Sequence, residues 1–299
     1  MKADLRSIYE QGDRSRQEDY LSPLLPDGIS EHKFYILCDG IGGLSKGNIA
    51  SKLVCEKMTE YFYKYVSGRD INKSDFNDAL THANYALNKD YDEEKMGTTL
   101  AFLSLSTKGA MVAHIGDSRI YHIRPNAPTP ILYKSRDHTL AYDLLKIGQI
   151  TQEELETNIN RHQLTRYITS HHDKPSKADI HEINDVRTGD YFFICSDGML
   201  ENLSDDELVH LLSQNISDDE KKQLLIENSR ENKDNHSAFV IRIQETEQTD
   251  KDNEFPATCR SDDMEYFMKK HGARSIRLTT LLWWIFGFIL LLGLAIWLI

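Results

Sequence analysis

Apolar positions along the chain recur at two spacings, and the switches between them mark out its elements. Residues 34–38, FYILC, are an unbroken apolar run that predicts a buried strand, the first of the fold, and it stops abruptly on Asp39-Gly40. Ile49, Leu53, Val54, Met58, Tyr61, Phe62 and Tyr65 then recur at three- and four-residue steps, which predicts an amphipathic helix. A second helical stripe runs through Phe76, Ala79, Leu80, Ala83 and Leu87. From 98 to 124 the period shortens to that of strands, broken by turns at 106–109 and at Gly116-Asp117. Residues 139–157 are polar and helical, divided at Gly148. Strands return at 180–183, 191–195 and 238–243, and two helices lie between the last pair. Both helices open on SDDE, at Ser204 and Ser217, with a glutamate three residues after the serine as a capping box requires. Strands that follow strands, with helices clustered between the runs, predict an α+β fold: antiparallel sheets covered by helices.

The carboxyl end breaks both patterns. Residues 278–299, LTTLLWWIFGFILLLGLAIWLI, contain no charge and are long enough as a helix to cross a hydrocarbon core of about 30 Å. Trp283, Trp284 and Trp297 stand towards the two ends of this stretch, and Lys269, Lys270, Arg274 and Arg277 precede it. The expectation is a single transmembrane helix with its amino-terminal side in the cytoplasm. The chain then divides into a folded domain at 1–243, a polar then basic linker at 244–277 and a membrane anchor at 278–299. The first twenty residues lack an apolar core, so no signal peptide is expected.

Composition narrows the functional classes. The chain has 299 residues, 40% of them hydrophobic, enough for a substantial core. A formal net charge of -12 disfavours a nucleic-acid partner, whose phosphates call for clustered Lys and Arg. Cys38, Cys55, Cys195 and Cys259 show no CxxC pairing, so neither a zinc site nor a disulfide framework is expected. Cys38 and Cys195, close before aspartates on strands, read as inert packing rather than redox switches. His114 reads as a core or sheet residue, His138 as a structural hydrogen-bonding residue, and His171-His172 as a solvated pair.

The acids that close strands or sit in adjacent turns carry the chemistry. They are Glu18 and Asp19 in GDRSRQEDY, Asp39 before Gly40, Asp117 in GDSR, Asp197 before Gly198, and Asp234 in KDNHS. Carboxylates at strand mouths must be hydrated, paired or bound to a cation. An oxygen-only set selects hard ions such as Mg2+ or Mn2+. Glycine after an aspartate lets a backbone carbonyl approach the same ion.

With these flanks, the motifs GDRSRQED, CDGIGG, GTTL, IGDSRIY, RDHTL, IGQIT, LTRYI, TGDYFFICSDG and DNHSAFVI follow one another in order. The chain resembles a bacterial metal-dependent serine/threonine protein phosphatase of the protein phosphatase 2C type. The resemblance implies a sandwich of two antiparallel sheets flanked by helices (α-β-β-α) with metals at one end. It implies that Asp39 bridges two metals, with Asp197 and Asp234 on one and Glu18 and the Gly40 carbonyl on the other. Asp19 would act through water just outside the ligands, and Asp117 with Asp197 would offer a third-metal site. Arg14 matches the arginine that grips the substrate phosphate, for which a two-pronged guanidinium is suited. Where animal members carry a histidine after DG this chain has Ile41, so that candidate general acid is absent. The segment 140–163 resembles the bacterial flap beside the active site.

The expected activity is hydrolysis of phosphoserine and phosphothreonine in proteins by water activated between two Mg2+ or Mn2+ ions. The expected partners are phosphorylated proteins, an opposing Ser/Thr kinase and, through the tail, the cell membrane. Two other readings are a catalytically inactive scaffold of the same fold and a stress-response phosphatase acting on a phosphorylated anti-sigma antagonist.

Overall fold

A computed structural model describes residues 1–24, 26–41, 46–89, 95–155, 157–171 and 176–246. The first half runs β1 (Lys2–Glu10), β2 (Asp19–Ser22), β3 (Gly28–Ser30), β4 (Phe34–Asp39), α1 (Gly47–Tyr65) and α2 (Lys73–Lys89). It continues through β5 (Gly97–Thr98), β6 (Leu100–Ser106), β7 (Gly109–Ile115), β8 (Arg119–Ile123) and β9 (Ile131–Lys134). The second half comprises α3 (Leu140–Lys146), α4 (Gln152–Leu155), β10 (Ile168–Thr169), β11 (Asp179–Ile183) and β12 (Tyr191–Cys195). It closes with a 3-10 turn at Asp197–Leu200, α5 (Asp205–Ser213), α6 (Asp218–Ser229) and β13 (His236–Glu245). These elements belong to a compact unit, Met1–Thr249.

One sheet has the order β3-β1-β13-β12-β8-β9, the other β11-β7-β6-β4-β2, and β5 pairs with β10 in a short ladder. Every named pairing is antiparallel, as the succession of strands implied. The sandwich is filled by Leu5, Tyr35, Leu37, Leu103, Phe192 and Phe239 among others. Burying each such side chain contributes roughly 1.5–3 kcal/mol. A second core lies between the β4 sheet and α1–α2, including Phe62, Phe76 and Phe102. A third joins the β12 sheet to α5–α6 through Phe193, Leu208 and Leu225. The result is the α-β-β-α layering expected.

Both capping boxes form: the Ser204 and Ser217 hydroxyls accept from the Glu207 and Glu220 amides, and each glutamate accepts from its serine's amide at 2.9 Å. Such caps contribute about 1 kcal/mol each. Gly148 does separate two short helices.

One expectation needs correcting. Residues 34–38 are not the first strand, because β1, β2 and β3 precede them. β1 escapes a periodicity search because its two faces meet different layers: Ala3 and Leu5 enter the central core, while Arg6 on the other face meets Asp219 of α6 at 2.6 Å. A charged strand face is satisfied by a charged helix. β13 also extends two residues past the expected domain end at Ile243. The expected linker from 247 onward and the expected membrane helix at 278–299 lie outside the described residues. Among the described residues no helix is long and apolar enough to cross a membrane.

Candidate metal and active site

Strand register brings the scattered acids to one end of the sandwich. Asp19 of β2 lies opposite Asp39 of β4. Cys195 of β12 lies opposite both Arg119 of β8 and Ala238 of β13, so Asp117, Asp197 and Asp234 all emerge just beyond the same edge. Glu10 pairs with His236, which sets the loop of Arg14 and Glu18 beside Asp234.

Asp39 is held by its backbone. Its amide donates to Thr99 Oγ1 at 3.0 Å, and its carbonyl accepts from the Thr99 amide and Thr98 Oγ1, both at 2.8 Å. Ser118 Oγ meets Thr99 Oγ1 at 2.6 Å, tying this strand end to the Asp117 turn. The Gly40 amide donates to the Glu18 carbonyl at 3.0 Å. A Cβ on Gly40 would lie 2.4 Å from the Gly47 carbonyl and 2.7 Å from that of Glu18, so only glycine permits this approach. Gly198 is equally confined, with the Asn235 carbonyl 2.2 Å from where its Cβ would stand.

Asn235 fastens the Arg14–Glu18 loop. Its Oδ1 accepts from the Glu18 amide at 2.8 Å, and its Nδ2 donates to the Gln11 and Arg16 carbonyls at 2.7 and 2.9 Å. Glu201 accepts from the amides of Lys233 and Asp234 at 2.9 and 3.1 Å, which orients the Asp234 turn. Asp234 Oδ2 receives Arg14 Nη2 at 2.5 Å. The predicted phosphate-binding arginine therefore rests, half-exposed, on a predicted metal ligand.

The charges are strongly frustrated. Burial, then the neighbouring acids Asp19 and Asp197, raise Asp39 well above the carboxylate range. Burial and Asp197 do the same to Asp117. Burial pushes Asp19 up to about 8, although Ser196 Oγ donates to its Oδ2 at 2.8 Å. Asp19 Oδ1 is buried with no hydrogen-bond partner in the protein. Glu18 is raised by burial and, against the attraction of Arg14, by Asp234. Asp197 is lowered: burial opposes its charge, but His162, a hydrogen bond with Asp39 and the Gly198 amide together outweigh it. Repelling carboxylates with an orphaned buried oxygen are an arrangement that hard divalent cations satisfy, so the residues fit such ions.

Asp117 follows Gly116, whose φ of +101° a side chain would strain. His138 secures this turn: its amide donates to the Gly116 carbonyl at 3.0 Å and its Nδ1 accepts from the Gly116 amide at 3.1 Å. His138 Nε2 meets Asp179 Oδ2 at 3.1 Å, and His114, buried in β7, stacks on the ring at 4.5 Å. Burial pushes His138 down to about 4, a neutral structural histidine as expected. Although His114, His138 and Asp179 converge, the Arg166 guanidinium, 2.7 Å from Asp179, already supplies their positive charge.

The sequence reading missed His162, Asn235, Glu201 and the Thr98-Thr99 pair. Of these, only Asn235 and the threonines lie inside recognised motifs, DNHS and GTTL. Cys38 and Cys195 are buried free thiols, and burial raises Cys195 above its usual range, consistent with packing. His171 is exposed and donates its amide to Asn88 Oδ1 at 2.7 Å, while His172 lies outside the described residues.

A four-layer antiparallel sandwich with an acidic site at one edge is the class that fold and site define, and comparison with known proteins gives it a family. The family model "Protein phosphatase 2C" matches residues 18–251. A protein phosphatase 2C-type protein of Streptococcus pyogenes is 32% identical over 225 residues, covering 71% of this chain and 84% of the relative. Protein phosphatase PhpP of Streptococcus pneumoniae is 29% identical over 203 residues, covering 65% and 78% respectively. The crystal structure of the serine/threonine phosphatase PstP/Ppp of Mycobacterium tuberculosis matches with a TM-score of 0.67 at 24% identity, over 82% of this chain and 100% of that one. The PstP catalytic domain in complex with two manganese ions matches at 0.64 and 24% identity, over 82% and 99%. The chain belongs to the protein phosphatase 2C family. It is a protein phosphatase of that type, a hydrolase.

Proposed function

We propose that this chain removes phosphate from phosphoserine and phosphothreonine in proteins modified by a Ser/Thr kinase, using two Mg2+ or Mn2+ ions and a third at a flanking site. The observation that carries this reading is the cluster of carboxylates gathered at one sandwich edge, the buried Asp117 and the partly buried Asp39 and Asp197, in which repulsion raises Asp39 and Asp117, with the orphaned oxygen of Asp19 behind them. Asp39, Asp197 and Asp234 would hold one ion, Asp39, Glu18 and the Gly40 carbonyl another, and Asp117 with Asp197 the third. When bound, the ions neutralise phosphate charge and lower the pKa of the attacking water.

The chain's own residues do the rest. Arg14, resting on Asp234, presents the forked donor suited to a phosphate. Thr98 and Thr99 fix Asp39 through its backbone, at the end of the strand where its side chain meets Asp197. Ser196 holds one oxygen of Asp19, and the other is buried near the Ser237 hydroxyl without a formed hydrogen bond. The water oxygen bonds to phosphorus, the ester P–O bond breaks, and one of that water's protons ends on the departing serine or threonine oxygen.

The uncharged stretch at 278–299 and the basic residues before it support a further part of this reading: a single-pass anchor that holds the catalytic domain at the cytoplasmic face of a membrane. The test is metal-dependent phosphate release from phosphothreonine peptides by the full chain in detergent. Activity abolished by chelator and by Asp39→Asn is expected. A folded Asp39→Asn protein with full turnover overturns the metal assignment, no phosphate release by the unsubstituted chain with Mn2+ overturns the activity, and a full chain that stays in the soluble fraction without detergent overturns the anchor.

A further inference from the structure

The segment 140–163 leaves the sandwich and returns to it through a closed neck. Thr139 and Leu164 form a β-bridge, the Leu140 amide donates to the Gln163 carbonyl at 2.9 Å, and the Thr165 amide donates to the His138 carbonyl at 2.9 Å. The neck is fastened to the Asp117 turn by the two bonds between His138 and Gly116. His162 sits on the returning limb two residues before the bridge. Its Nδ1 stands 3.5 Å from Asp197 Oδ2, and one ligating atom each from Asp117, His162 and Asp197 lie within 4.8 Å of one another.

Taking the metal-dependent reading above as its basis, we infer that His162 is the flap's own ligand to the third cation, so that binding of this ion latches the flap onto Asp117 and Asp197. As an ion pair alone the contact is weak, since the His162 side chain is 61% exposed and 3.5 Å is long for a hydrogen bond. As a ligand set it is complete in kind: two carboxylates on the sandwich and one imidazole from the flap. The Arg161 Nε donates to His162 Nε2 at 2.8 Å, which leaves the ring proton on Nδ1, facing Asp197. Ligation through Nδ1 displaces that proton to Nε2 or to solvent and turns Arg161, an exposed residue, off the ring. The imidazole also gives this site a selectivity that the all-oxygen pair lacks. Nitrogen ligands suit Mn2+ better than Mg2+, so the third site is a Mn2+ site whichever ion fills the other two.

The test uses the full chain in detergent, Mn2+ as the probe, and His162→Ala and His162→Gln. Mn2+ titration with pulsed EPR counts the ions and reads nitrogen coupling directly, and hydrogen exchange reports on 157–165 with and without Mn2+. Expected are three Mn2+ ions in the unsubstituted chain, nitrogen coupling on one of them, and slower exchange in the flap limb on loading. Either substitution removes the coupling and the added protection and weakens the third ion by about 10-fold or more, while two ions stay bound; even groups one step removed from a metal contribute on this scale. Absence of nitrogen coupling in the unsubstituted chain, coupling that survives His162→Ala, or binding of only two ions overturns the inference. In each of those cases chelator-sensitive turnover with two bound ions leaves the proposed activity standing, whereas loss of all Mn2+ binding removes both.

Discussion

Replacing Asn235 by alanine tests whether the active-site loop is held by a single buried amide. Asn235 is 4% exposed and makes three hydrogen bonds, to the Glu18 amide and to the Gln11 and Arg16 carbonyls, all between 2.7 and 2.9 Å. At a net contribution of roughly 0.5–1.5 kcal/mol each, their removal costs about 1.5–4.5 kcal/mol. Water can reach the exposed side of this loop and recover part of that, which favours a loss of about 2–3 kcal/mol. For a domain of this size the melting temperature should fall by about 4–12 °C. Thermal denaturation in chelator isolates the folding effect from metal binding. The Mn2+ concentration giving half-maximal turnover should rise as well, because Glu18 loses its backbone anchor. Asn235→Asp sharpens the test: it keeps the acceptor for Glu18 but turns an oxygen onto two carbonyl oxygens, so it should destabilise at least as much as alanine. A shift of less than about 1 °C in both variants with an unchanged Mn2+ requirement would refute the reasoning.

Without metal, Asp19, Asp39 and Asp117 should draw stability down as pH rises from about 4 to 8, most clearly above the range where the neutral buried His138 and His114 pull the other way: the raised pKa values of the three aspartates mean that at these sites the folded chain binds more protons than the unfolded one. Saturating Mn2+ should flatten or reverse this slope in calorimetry, and a metal-free melting temperature that climbs through the same window would contradict the charge assignment. Arg14→Ala should raise KM for a phosphopeptide by about 10-fold, the loss of one charge-assisted contact at a half-exposed site, while leaving Mn2+ affinity equal or tighter because Asp234 is relieved of its partner. Weaker Mn2+ binding with unchanged KM would count against that division of roles. Gly198→Ala forces a Cβ to within 2.2 Å of the Asn235 carbonyl and should cost about 1–3 kcal/mol in melting experiments and reduce Mn2+ affinity; a neutral outcome would mean the Asp197 and Asp234 turns are not coupled there.

Much of this protein is local and therefore legible in its sequence. The stripes of α1 and α2, the two capping boxes and the runs of β4, β6, β7 and β12 follow from residue spacing alone, because one sheet face or helix face decides each position. The acidic motifs were legible only as an ordered set that resembles a known family, since an aspartate and a glycine at the end of a single apolar run read more readily as a turn. β1 was not legible, since the partner that satisfies Arg6 is Asp219, far away in the chain.

The tertiary structure alone decided how the acids meet. Strand register set Asp19 against Asp39 and carried Asp117, Asp197 and Asp234 to a shared edge, and no spacing along the chain encodes that distance. It also gave Arg14 its resting partner, made Asn235 the clamp of a loop more than two hundred residues away, and turned His162 towards Asp197. These are contacts between segments brought together by burial of the cores, where the geometry of one sheet edge, rather than the identity of neighbouring residues, determines which polar groups come within reach.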